Sequence, residues 1–136
     1  MSRRKAREMA LQTLFQLDFN QIEPDVALES VFAENASLPE NAKEYTILLV
    51  KGTRDHLSEI DGIISESAID WKLQRMPGVD RNITRMAIFE MRFGKEEIAP
   101  NVIINEAVEL AKSFGSAESG RFINGILGSL VRKQKK

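Results

Sequence analysis

The 136-residue chain is 43% hydrophobic and 29% charged, which suits one compact domain with a core of useful size rather than two independent domains. Eight Gly and four Pro without a biased tract exclude a disordered, collagenous or linker protein, and zero Cys excludes disulfides, thiolate zinc sites, iron–sulfur clusters and thiol nucleophiles. The net charge of −1 hides basic ends: Arg3, Arg4, Lys5 and Arg7 open the chain and Arg132, Lys133, Lys135 and Lys136 close it, leaving eleven basic against twenty acidic residues between them.

Residues 1–17 join a basic head to apolar residues, but Gln12, Thr13 and Gln16 interrupt the run and no small-residue cleavage site follows, so no signal peptide is expected. No stretch approaches the roughly 20 apolar residues of a bilayer span, and a cytoplasmic location is expected. Ser2 fits an N-cap, and Ala6, Met9, Ala10, Thr13, Leu14 and Leu17 recur at helical spacing, which predicts a first helix to about Asn20. Arg3, Arg4 and Arg7 fall in its first turns, where cations oppose the macrodipole. Phosphate binding would compensate them, because the free N–H groups of that turn also favour an anion. The plainer reading is mild destabilisation that the fold tolerates.

Residues 24–32 form a short second helix opened by Pro24 and Asp25, and residues 35–41 form a loop. A long third helix carries the stripe Tyr45, Leu48, Leu49, Gly52, His56, Ile60, Ile63 and Ile64. Gly52 inside it costs about 1 kcal/mol against Ala and marks a close helix crossing. His56, the sole histidine, has no partner for a triad or metal site and reads as structural. Residues 69–79, with Trp71 and a Met-Pro-Gly break, join two halves, 1–68 and 69–136. Asp80 is placed to cap a helix carrying Ile83, Met86, Ala87 and Met91. Pro100 opens the next, with Ile103, Ala107, Leu110, Ala111 and Phe114 on one face and Gly115 as its stop. Ser116 is placed to cap the last, which carries Phe122, Ile123, Ile126, Leu127 and Leu130. No sustained period-two run occurs, so the fold is predicted all-α, with about seven helices.

Catalytic motifs are missing. Residues 115–120 have glycines at the outer spacing of a phosphate loop, but Arg121 and Phe122 replace the Lys and Ser/Thr that bind phosphate and magnesium. Glu90 and Glu106 sit among apolar neighbours and could be read as paired catalytic carboxylates. The reading preferred from sequence is that they cap a neighbouring helix or satisfy a buried amide such as that of Asn105. No catalytic residue, metal site or cofactor is expected.

Four blocks carry a family resemblance: RRKAREMALQTLFQLD (3–18), VDRNITRMAIFEM (79–91), VIINEAVELAKSFG (102–115) and RFINGILGSL (121–130). Together, in this order and spacing, they resemble the NusB family of transcription antitermination factors. The resemblance spans nearly the whole chain and is weakest over residues 21–41. It implies two perpendicular helical bundles meeting near residues 69–71. It also implies a non-enzymatic protein that binds boxA RNA of ribosomal leader transcripts and pairs with the ribosomal protein NusE to help RNA polymerase read through terminators. Carried over by residue, Arg3, Arg4, Lys5 and Arg7 would contact RNA, with Lys112, Glu118, Arg121 and Phe122 completing that surface. Phe15, Asp80 and Arg85 would face the protein partner. Similar modules occur fused to RNA cytosine methyltransferases, whose chemistry needs a Rossmann-like domain and a Cys nucleophile that this sequence does not supply.

The physics is compatible with these implications. Single-stranded RNA is held by phosphate contacts and by bases stacked on aromatic or guanidinium planes. The arginines supply the first, and Phe122 supplies the second unless it belongs to the core. Glu118 cannot bind phosphate but would accept hydrogen bonds from base amino groups or repel wrong ligands. The acidic body suits a basic ribosomal protein through steering. A helical protein-interaction adaptor with solvated basic ends is the competing function. Monomer and homodimer both fit the residues, and a homodimer would be able to cover the arginines.

Overall fold

The computed structural model describes residues 3–67, 76–95 and 97–134. The Ser2 cap, the junction at residues 69–71, and Lys135 and Lys136 lie outside them. Every regular element among the described residues is a helix: α1 (Arg3–Phe19), α2 (Pro24–Ala33), α3 (Glu40–Asp55), α4 (Leu57–Ser67), α5 (Gly78–Arg92), α6 (Pro100–Phe114) and α7 (Ser119–Gln134). One continuous hydrophobic core runs from Ala6 and Leu14 of α1 through Ile83 and Ile88 of α5 to Ile123 and Leu127 of α7. None of the described helices is long and apolar enough to cross a membrane.

The first helix buries the predicted stripe, with Ala6 and Ala10 fully enclosed. Small side chains there let α3 approach closely enough for the Thr46 hydroxyl, bonded at 2.8 Å to the Ala42 carbonyl, to lie 3.4 Å from the carbonyl of Ala6. The second helix starts at Pro24 as expected, since proline at the first position loses no intrahelical bond.

The predicted long third helix is two helices with a turn at His56. That residue leaves helical geometry (φ −108°, ψ 19°), while its N–H still reaches the Gly52 carbonyl at 3.1 Å and its own carbonyl accepts from Ile60 at 2.9 Å. The stripe therefore continues, and Ile60 and Ile64 are fully buried. The imidazole stacks on Phe93 with ring centroids 4.1 Å apart and planes at 12°, and its Nδ1 lies 3.1 Å from Glu59. His56 is a structural residue at this bend. Periodicity did not reveal the bend because one turn residue barely disturbs the apolar phase.

The central element is α5. Every residue from 82 to 90 is buried, as expected of a helix surrounded on all sides; α1, α3, α4, α6 and α7 all pack on it. Asp80 does not cap it. The N-cap position is Pro77, and Asp80 lies inside the first turn. The predicted close crossing falls where α3 meets α5: a methyl group added at Gly52 would overlap the Phe89 ring. The last helix begins at Ser119, three residues beyond the expected cap. The Ser119 hydroxyl accepts the Ser116 N–H at 2.9 Å and closes the turn that leads into α7. A Cβ on Gly115 would lie 2.5 Å from that hydroxyl oxygen, so glycine is needed for the turn to close.

Replacing Gly52 by Ala should destabilise the protein by roughly 1 to 3 kcal/mol through overpacking. Urea unfolding measures the loss, and adding Phe89→Leu should restore part of it; a Gly52→Ala protein of unchanged stability would mean that α3 and α5 do not cross this closely.

Candidate nucleic-acid interface

The basic start of α1 does not present its charges in one direction. Successive helical positions turn by about 100°, so the four cations meet different neighbours. Arg7 is buried at 4% exposure and faces Glu90 of α5, itself 5% exposed. Its Nε and Nη2 donate to the two carboxylate oxygens of Glu90 at 2.8 Å each, a two-pronged pair. The Tyr45 hydroxyl of α3 donates to the same carboxylate at 2.5 Å. On the other side, Arg7 Nη1 lies 3.6 Å from Glu106 of α6. Arg4, whose side chain is 63% exposed, closes on Glu106 with Nη2 at 2.6 Å and Nε at 3.3 Å. The Arg3 guanidinium sits 5.3 Å from the centre of the Tyr45 ring. Arg3, Tyr45, Glu90, Arg7, Glu106 and Arg4 thus form one chain of alternating contacts binding α1 to α3, α5 and α6.

The electrostatics follow from this chain. Burial disfavours the Arg7 cation, but the hydrogen bond and charge of Glu90, aided by Tyr45 and Glu106, outweigh it and raise its pKa. The hydrogen bond from Arg4 holds the Glu106 carboxyl below the usual glutamate range against the opposing effect of burial. Arg4 is raised in return. Burial and then the Glu90 charge push the Tyr45 phenol well above its ordinary value.

These placements correct several expectations. Arg7 does not face solvent, so it cannot meet a phosphate in this conformation; Glu90 supplies the compensating anion that the sequence reading assigned to RNA. Among the described residues Glu90 and Glu106 cap no helix and bind no buried amide, because both serve the arginines of α1. Glu106 is held ionised, the wrong state for a general acid. Among the described residues no group of three His, Asp or Glu side chains is placed to hold a metal.

Arg4 is linked to the α6–α7 turn along one seam. Arg4, Glu8, Glu106, Glu109 and Ser113 line a single crevice between α1 and α6. Glu109 then reaches Lys112 at 3.8 Å, and the Lys112 stem borders Gly120 at the start of α7. Lys5 lies 3.9 Å from Glu8. Glu118 and Arg121 are exposed. Phe122 is half-buried and packs against the core.

Further along the same two helices the character changes. Leu11, Phe15, Val79 and Phe114 line an open apolar groove. Phe114, assigned to the core face from spacing, is 40% exposed there, and Phe15 is 38% exposed. Phe19 adjoins Phe15 with ring centroids 4.9 Å apart. Asp80 and Arg85 do not reach this surface, being only 4% and 8% exposed. Arg85 donates to Asp61 of α4 at 2.8 and 2.9 Å and lies 3.7 Å from Asp18, so it ties helices together. Sequence reasoning missed Asp18, Asp61 and Phe114. The i, i+4 pair Phe15 and Phe19 was a visible signal for the groove.

The sequence profile of the NusB family matches residues 4–132. The chain belongs to the NusB family. The transcription antitermination protein NusB of Desulforamulus reducens is 50% identical over 131 residues, covering 96% of this chain and 90% of that one. The structure of NusB from T. maritima superposes with a TM-score of 0.89 at 36% identity, covering 98% of this chain and 92% of that one. A crystal structure of antitermination factors NusB and NusE in complex with dsRNA matches at a TM-score of 0.87 and 28% identity, covering 96% of each chain. The family is one of transcription antitermination factors and is not known for catalysis. The NusB resemblance of the four sequence blocks and the all-helical fold are both borne out.

Two outcomes test the buried chain of contacts. Replacing Arg7 by Met should cost about 3 to 5 kcal/mol, because it strands the Glu90 carboxylate in the core, and adding Glu90→Gln should recover part of that. Tyr45 is the only tyrosine, so its ionisation is read directly from ultraviolet absorption. A phenol whose folded pKa lies above the ordinary 10.0 contributes stability below that pH and loses it as the pH rises further. The native protein should therefore show no tyrosinate at pH 10, and an ordinary titration there would contradict the Tyr45–Glu90 bond.

Proposed function

We propose that this NusB-family chain is a non-catalytic RNA-binding antitermination factor. It acts in the cytoplasm on boxA-type leader RNA with the ribosomal protein NusE, within an antitermination complex containing RNA polymerase. The halves 1–68 and 69–136 work as one unit around α5. RNA lies along the strip from Arg3, Arg4 and Lys5 to Lys112, Glu118, Arg121 and Phe122, its phosphates on the cations and a base on the exposed part of Phe122. Arg7 supports that strip from beneath. The protein partner uses the Phe15 groove, with Arg85 acting through its ties to Asp61 and Asp18 and Asp80 from its buried place in the first turn of α5. The observation that carries this reading is the continuity of the strip: Arg4 and Lys112 stand on either side of Glu109 along one α1–α6 seam. The dsRNA and NusE present in the related crystal structure support it.

Filter binding with boxA-type RNA at several salt concentrations tests the reading. Three phosphate contacts by Arg3, Arg4 and Lys5 should give them a share of about −2 in the slope of log K against log[salt], at roughly −0.7 each for single strands. Replacing all three by Ala should remove that share, and an unchanged slope would favour the adaptor without RNA binding. Phe122→Leu keeps core packing but removes the stacking surface, so it should weaken binding by about 1 to 3 kcal/mol with little change in melting temperature. A lowered melting temperature with normal RNA binding would return Phe122 to the core.

A further inference from the structure

We propose that Glu106 is an internal competitor for the RNA phosphate: its carboxylate occupies the Arg4 guanidinium in the free protein, and RNA gains that contact only by displacing it. The proposal rests on the RNA-binding reading above and concerns the regulation of that same strip.

Arg4 is the most solvent-accessible part of the buried chain of contacts, yet its Nη2 and Nε are turned onto Glu106 at 2.6 and 3.3 Å. A carboxylate and a phosphate are interchangeable acceptors for a guanidinium fork, since both offer two oxygens at matching separation. With Glu106 in place, an arriving phosphate would share one cation with an anion already hydrogen-bonded to it. Glu8 and Glu109 border the same crevice and add to the repulsion.

Displacement is nevertheless inexpensive for Glu106. Its Oε1 also lies 3.6 Å from Arg7 Nη1, and Arg7 is fixed by its two bonds to Glu90. When Arg4 leaves, the carboxylate keeps a cationic neighbour, so no charge is stranded in the protein. Buried Arg7 thus holds Glu106, while exposed Arg4 can exchange between Glu106 and the ligand. The depressed pKa of Glu106 means that the competitor is fully charged at neutral pH. The arrangement lowers the affinity of the strip for any phosphate that needs Arg4.

The test compares single-stranded RNA binding by the full chain and its variants, using fluorescence anisotropy with a boxA-type RNA and with oligouridine of equal length. Glu106→Gln preserves shape and removes the charge, and should tighten binding by up to about fivefold, the scale of one exposed ion pair. Glu109→Gln, measured against a Lys112→Ala reference so that releasing Lys112 adds nothing, removes a carboxylate from the same crevice without touching Arg4's hydrogen bonds, and should tighten binding less. In an Arg4→Ala background the gain from Glu106→Gln should vanish. Equal gains from the two Glu variants, or a gain that survives Arg4→Ala, would overturn the proposal, since simple removal of negative charge would then explain it. A wild-type measurement covers the case of a variant that melts early: on adding oligouridine, the Arg4 Nε–H resonance should shift while that of Arg7 stays put, and a stationary Arg4 resonance counts against the exchange. If the wild type binds RNA and Glu106→Gln changes nothing, only the competition is lost. If no form of the protein binds either RNA, the RNA-binding reading is lost with it.

Discussion

The buried pair between Arg7 and Glu90 is the interaction on which the rest of the molecule depends. Two opposite charges removed from water are stable only when each satisfies the other's hydrogen-bonding capacity, and here the guanidinium fork meets both carboxylate oxygens while Tyr45 donates to the same group. The three side chains come from α1, α5 and α3. Their geometry sets how the first helix lies on the central one, and therefore where the exposed cations of α1 stand. Any slip of α1 by one residue would rotate Arg7 out of reach of Glu90 and leave a carboxylate in the core.

That constraint divides a cluster of four cations that look equivalent in the sequence. Arg7 belongs to the core, Arg4 is exposed but closed on Glu106, Lys5 is exposed beside Glu8, and Arg3 leans on the Tyr45 ring. A second network does the same at the opposite end of α1. Asp18 accepts from Arg81 at 3.2 Å and from Asn82 at 2.8 Å, so the C-terminal end of α1 is also tied to α5. Between these two anchors α1 lies beside α6, and its outward side passes from charged at Arg4 to apolar at Phe15. One seam thereby carries two chemically different surfaces.

Much of this architecture was legible in the residues. The all-helical fold, the proline start of α6, the glycine stop at Gly115 and the close crossing at Gly52 all rest on local rules, because helical spacing, capping and the lack of a side chain act over a few residues. The four NusB-like blocks identified the family for the same reason that they form helices in fixed order. Local reasoning failed where the partner was distant in sequence. Asp80 has the residue type of a cap, but the helix already starts at Gly78 with Pro77 in the N-cap position. Phe114 fits an apolar stripe, yet its side chain comes at the end of α6, where the neighbouring surface is a groove.

By itself the sequence determined the helical periodicity, the dipolar charge pattern and the family, since each is written in residue types and spacings. Tertiary structure alone decided which arginine meets water and which meets a carboxylate. Arg7 and Glu90 stand 83 residues apart, and no rule of spacing relates them. Only the packing of α1 on α5 brings them within hydrogen-bond reach, and an ion pair in a low-dielectric interior is governed by distance and burial, which a linear pattern does not contain.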